Sequence, residues 1–184
     1  MSAVLEAPAL ASLLPDCVLR VRFAADAAER DAARALRRAV FCGEQGMFDG
    51  DDEDEIDAVA LAITAVLSAP GLADQVVGTV RIHEKSPGVW MGSRLAVLRE
   101  FRRSASVGSG LIRLAVGAAR ARGCHSFLAH VQSQNVALFE RLHWVAKGDV
   151  VLRGRPHQMM QADLASYPPV ADGASGFIVH GGGA

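Results

Sequence analysis

The chain is poor in the residues that usually mark a site. Its 184 residues include three cysteines and one tyrosine. Cys17, Cys42 and Cys124 are odd in number and match no metal or redox spacing, so they are expected to be reduced, mostly buried thiols of a cytoplasmic protein without a metal. No apolar run approaches the length of a membrane span. Residues 1–16 are apolar but lack the basic segment of a signal peptide. The net charge of −1 excludes a nucleic-acid binder that works by bulk charge. Two nucleotide motifs are also missing. No Gly-Lys-Ser/Thr follows the glycines near residue 110, and Arg113 stands where a dinucleotide fingerprint wants its third glycine.

What is present is segregated charge. Residues 49–57 hold seven carboxylates, whereas residues 94–122 hold seven arginines and one glutamate. The acidic run lacks the spacing of a calcium loop and is expected to be solvated; beside a pocket it would instead attract a cationic substrate. The basic stretch reads as a buried strand, a turn with Arg99, Arg102 and Arg103, a loop with Gly108 and Gly110, and a helix with Leu111, Leu114, Ala115, Ala118 and Ala119 on one face. A helix start exposes unpaired N–H groups and partial positive charge, and glycines let an anion approach. The stretch is a place to hold phosphates.

Periodicity predicts a strand over 18–23, then a helix over 26–42 capped by Asp26, with Ala32, Ala35, Leu36, Ala39 and Val40 as its apolar stripe. Strands follow over 58–67, 75–83 and 89–98, then the phosphate-loop helix. A strand over 125–131, a helix over 134–142 and strands over 145–152 and 157–164 complete the order β-α-β-β-β-α-β-α-β-β. Residues 1–16 form an extension, 17–166 the domain, and 167–184 a Pro/Gly-rich tail in which Phe177, Ile178 and Val179 could dock.

That order, with Val107-Gly108-Ser109-Gly110-Leu111, resembles the GNAT acyltransferase superfamily. Its loop motif reads Gln/Arg-x-x-Gly-x-Gly/Ala, and Ala105 departs from the first position. Val40-Phe41, Glu44-Gln45, residues 78–82 and 93–97, and the ending Gly154-Arg155-Pro156-His157-Gln158-Met159-Met160 look closest to ElaA-like and nitrogen-starvation N-acetyltransferases. Weaker echoes reach acyl-homoserine-lactone synthases, although Met91 stands where their glutamate belongs.

The resemblance implies an α/β fold with a mixed, mostly antiparallel sheet of about seven strands, two central parallel strands splayed apart, and flanking helices. It implies acetyl-CoA or another acyl-CoA as cosubstrate and a small amine or amino-acid-like acceptor that attacks the thioester directly. Leu95, Ala96 and Val97 would pair with the pantetheine; Val107, Gly108, Ser109, Gly110 and Leu111 would hold the pyrophosphate, with Arg102 and Arg103 nearby and Asn135 and Phe139 beside the cofactor. Phe139 falls where the superfamily often has a tyrosine acid, and a phenyl ring donates no proton. His130 is the first candidate to replace it, as acid or base. His83 and Glu84 end the neighbouring strand, with Glu84 a workable base through a water, and His157 lines the acceptor side. Arg81, Arg94 and Glu44 are candidates to contact the acceptor, unless the two arginines pair with Asp54 and Asp57 and order the acidic loop. Phe139 and Ala105 keep a second reading open, a non-catalytic acyl-CoA-binding module. Nothing implies nucleic acid or membrane as partner, and a homodimer through strand edges or the tail is left open.

Overall fold

The structure, a computed structural model, describes residues 17–103 and 105–179. In chain order it contains β1 (Val18–Phe23), α1 (Ala27–Arg38), β2 (Leu61–Ser68), β3 (Gln75–Ser86), β4 (Val89–Val97), α2 (Ala105–Arg120), β5 (Ser126–Gln132), α3 (Val136–Arg141), β6 (Trp144–Leu152), β7 (Arg155–Ala162) and β8 (Phe177–Ile178). The expected order is present, with one strand added. The strands form a single sheet in the order β6-β7-β5-β4-β3-β2-β1-β8. Its neighbours are antiparallel except β4 and β5, which run parallel. Such a pair needs a crossover, and α2 supplies it across one face while α1 packs on the other.

Local chemistry sets most boundaries. Asp26 caps α1 by accepting from the Glu29 N–H at 2.8 Å. The helix then loosens into a π-helical turn over Ala39–Glu44, a distortion often found at functional sites. Its buried stripe is Ala33, Leu36, Arg37 and Val40; Ala32, Ala35 and Ala39 are exposed. The expected stripe was rotated because a charged residue, Arg37, occupies a core-facing position. The strand expected to end the domain begins at Arg155, two residues early. Arg153 and Gly154 both adopt positive φ, 50° and 71°, and close β6 onto β7 as a two-residue turn of the I′ kind.

The glycine loop is not a loop. Residues 105–110 are the first turns of α2. A Cβ at Gly110 would lie 2.8 Å from Val179 and 3.2 Å from Val21, so glycine lets α2 lie close on β1 and the tail. Beyond Tyr167 the chain covers the outer side of α2: the Val170 N–H donates to the Gly117 carbonyl, and β8 pairs with β1. The apolar side chains on α2 therefore extend beyond one face, with Leu111, Ile112, Leu114, Ala115, Val116, Ala118 and Ala119 all buried.

The acidic run is not simply solvated either. Arg37 Nε meets Asp52 Oδ2 at 2.8 Å and its Nη1 meets Asp57 Oδ1 at 2.5 Å. Arg81 forks onto Asp54 at 2.6 and 2.8 Å and reaches Asp57 at 2.7 Å. Arg94 joins Asp52 at 2.9 Å and Asp54 at 3.2 Å. Three arginines thus face three aspartates, and the charges cancel. Burial opposes ionisation of Asp57, but hydrogen bonds from Arg37 and Arg81 outweigh it and hold its carboxyl well below the usual range. The hydrogen bond from Arg81 does the same for Asp54.

Removing one partner of such a network leaves a buried charge uncompensated. Asp57→Asn should destabilise the fold by about 3–5 kcal/mol in denaturant unfolding. Because both carboxyls titrate lower in the folded chain, their contribution is complete above the unfolded value, about pH 4, and is lost as the pH falls through the folded values. Wild-type stability should drop in acid more steeply than that of Asp57→Asn; parallel acid profiles would contradict this assignment.

Candidate active site

The central opening follows from the register. β4 and β5 pair only from Val89↔Ser126 to Gly92↔Ala129. Beyond that, β4 stays with β3 as far as Gly78↔Val97, while β5 continues on β7 from Leu128↔Gln161 to Gln132↔His157. The parallel strands part after Gly92 and Ala129. At this point β4 bulges, with Arg94 at φ 56° between the pairs Arg81↔Ser93 and Thr79↔Ala96. Bulges re-aim side chains and are common beside active sites.

A cavity of about 530 Å³ runs through the opening. Leu95, Ile112, Ala115, Asn135, Phe139 and Trp144 line it toward α2 and α3, and Phe41, Met47, Phe48 and Ile56 line it toward the π-helical turn. His83, His130 and His157 all border it. Strand alternation explains the grouping: in the pairing Gln132↔His157, His157 is a diagonal neighbour of His130 on one face.

Each histidine has a distinct environment. Burial, then His157 and Lys85, push His130 below its usual value and favour the neutral ring. His83 is lowered by burial and by Arg81, and its Nδ1 is buried without a hydrogen-bond partner among the described residues. An imidazolium there would bury an unpaired N–H, which agrees with that direction. His157 is 5% exposed, and its Nδ1 lies 2.9 Å from the Arg155 carbonyl. A carbonyl only accepts, so Nδ1 carries the proton and the neutral ring leaves Nε2 bare.

Other expected residues separate into two sets. Glu84 is absent from the cavity lining; its carboxylate accepts from the Gly88 N–H at 2.7 Å and braces the β3–β4 turn. On β3, residues 83 and 85 share a face and residue 84 takes the opposite one, so His83 and Lys85 border the cavity instead. This alternation was legible in the sequence. Glu44 pairs with Arg102 at 2.8 Å and is likewise outside the lining. Arg81 and Arg94 border the cavity, but their guanidiniums are engaged by Asp52, Asp54 and Asp57 in the ordering role. Tyr167, the single tyrosine, is 4% exposed; it accepts from Trp144 Nε1 at 3.0 Å and donates to the Leu142 carbonyl. Phe139 packs edge-on against Trp144, centroids 5.0 Å apart. No tyrosine hydroxyl borders the opening.

The phosphate end fits an acyl-CoA. The first N–H groups of α2 lack helical partners, and a side chain at Gly108 would meet nothing within 4 Å. Arg103 is exposed next to the helix start and forms no ion pair among the described residues. Arg102 is held instead, its Nε donating to the Val97 carbonyl at 2.7 Å. Val107 and Leu111 are buried in the core, and Ser109 Oγ donates to the Ser106 carbonyl, so of these three only Val107, in the first turn of α2, has an N–H free for an anion. Ala96 is buried and paired with Thr79; Leu95 borders the cavity along the part of β4 that β5 has left.

A splayed parallel pair that opens onto a helix N-terminus is the architecture of acyl-CoA-dependent acyltransferases. The model of the acetyltransferase (GNAT) family matches residues 42–144. The chain belongs to that family, whose members take acetyl-CoA or another acyl-CoA as cosubstrate. No curated protein matches the chain in sequence. Among solved structures, a putative N-acetyltransferase from Lactobacillus plantarum is 26% identical, with a TM-score of 0.66 over 79% of this chain and 98% of that one. Escherichia coli ElaA is 16% identical with a TM-score of 0.64 over 79% and 99%. An aminoglycoside 6'-N-acetyltransferase, solved with coenzyme A, is 15% identical with a TM-score of 0.61 over 76% and 92%.

Gly108→Asp tests the phosphate assignment. A carboxylate near the start of α2 suits the helix dipole and should leave the fold intact. It should abolish coenzyme A binding in calorimetry, and a folded variant with unchanged affinity would remove the pyrophosphate from this helix.

Proposed function

We propose that the protein transfers the acetyl group of acetyl-CoA, or another acyl group, to a small primary amine or amino-acid-like acceptor by direct attack on the thioester. The observation that carries this reading is the position of His130, on β5 immediately after the last residue paired with β4 and on the border of the cavity. The acceptor's ammonium gives a proton to the neutral His130 ring, directly or through a water. Its nitrogen then attacks the carbonyl carbon, and the edge of β4 around Leu95 offers backbone N–H to the oxyanion. When the C–S bond breaks, the thiolate takes a proton from the imidazolium or from water, and the second proton that the nitrogen loses in becoming an amide goes to solvent. Among the described residues no cysteine borders the cavity, in keeping with a reaction that needs no acyl-enzyme.

Phe139 favours a second reading, a non-catalytic acyl-CoA-binding module. Thiol release from acetyl-CoA with an amine panel decides between the two, since turnover excludes the module and binding without turnover supports it.

His130→Ala should lower kcat by about 10²–10⁴-fold, the range of general base catalysis, with little change in acetyl-CoA affinity. Wild-type kcat/KM should show a rising limb with its midpoint below about pH 6.5, the ordinary histidine value, because His130 must be neutral to act. The variant should lack that limb. Equal activity and an identical profile would assign His130 a structural role.

A further inference from the structure

The charge around the acceptor half of the cavity does not cancel. Asp54 is the only carboxylate among the described lining residues, and both its oxygens are held, Oδ1 by Arg81 and Oδ2 by Arg81 and Arg94. Two cations remain. Lys85 and Arg153 border the same cavity, and neither forms an ion pair with a described carboxylate. Arg153 is pinned by a neutral group, its guanidinium 3.9 Å from the centroid of the Phe48 ring, which leaves its charge uncompensated.

Arg153 is also held where the backbone would prefer another residue. It sits at φ 50° in a turn of the kind that favours asparagine, aspartate or glycine. Such a conformation costs about 1–3 kcal/mol for other residues and tends to occur at ligand clamps. Arg94, at φ 56°, approaches the same Phe48 ring to 4.4 Å. Two strained arginines therefore meet at one aromatic wall of the cavity. The loop that carries this wall is fastened at neighbouring points: Gln132 donates to the Gln45 side chain at 3.0 Å, and Arg155 donates to the Gln45 carbonyl.

We propose that the acceptor is a primary amine that carries its own carboxylate and an apolar side chain, an apolar α-amino acid or close analogue, with Arg153 reading the carboxylate. The inference rests on the acyl-transfer reading and narrows its acceptor. The amine then lies toward His130 and the apolar group against Phe41, Met47 and Phe48. Polycations are selected against, because no free carboxylate meets them while two ammonium- or guanidinium-type charges repel them.

The test compares thiol release at saturating acetyl-CoA with phenylalanine, phenylalaninamide and spermidine. The kcat/KM for phenylalanine should exceed that of the amide and of spermidine by about ten-fold or more, the worth of one hydrogen bond to a charged group. Arg153→Gln should reduce the phenylalanine-to-amide ratio by about ten-fold. The position is exposed, so the fold should tolerate the change. Turnover that favours the amide or spermidine, or a ratio unmoved in the variant, would overturn the inference and leave the acyl-transfer reading standing. Acylation of no acceptor at all would overturn both.

Discussion

Asp52 is buried to 1% exposure, and one of its oxygens receives both Arg37 from α1 and Arg94 from the bulge of β4. Asp57 and Asp54 extend the chain of charges to Arg81 on β3. Burying ionised groups is unfavourable unless they are paired and hydrogen-bonded; Arg37, Asp52 and Arg81 are buried and paired, although Asp52 Oδ1 has no hydrogen-bond partner among the described residues. The pairing ties a loop with no strand or α-helix of its own to a helix and two strands. It also fixes Arg94 in a left-handed conformation that would otherwise relax. The bulge, the start of the opening and one wall of the cavity all depend on that arrangement.

Neutrality of this network has a chemical consequence. A sequence with an acidic run beside its site suggests a cation-binding pocket. In the fold Asp52, Asp54 and Asp57 are consumed by Arg37, Arg81 and Arg94, and the uncompensated charges on the cavity border are Lys85 and Arg153. Burial first, then His157 and Lys85, lower His130 and favour its neutral ring.

Much of this was legible in the chain. Alternation and helical spacing gave the order of elements along the chain and the helix after the basic turn, and the resemblance supplied the parallel pair. His130 and His157 both border the cavity. The misreadings share a physical cause, contact between residues distant in sequence. Arg37 was left out of the expected stripe because its partners Asp52 and Asp57 lie 15 and 20 positions away. Gly110 looked like part of a loop because the packing that makes glycine favourable there in α2 involves Val179 and Val21. Glu84 was a failure of a different kind, since period two along β3 already assigned it to the face opposite His83.

Calorimetric titration of the intact chain with acetyl-CoA tests the central claim most directly, because every chemical step assumes that the opening between β4 and β5 holds an acyl thioester. One site per chain with a dissociation constant on the order of micromolar, about −8 kcal/mol, is the predicted result. A folded chain that binds neither acetyl-CoA nor coenzyme A would contradict the account, whatever its resemblance to enzymes that do.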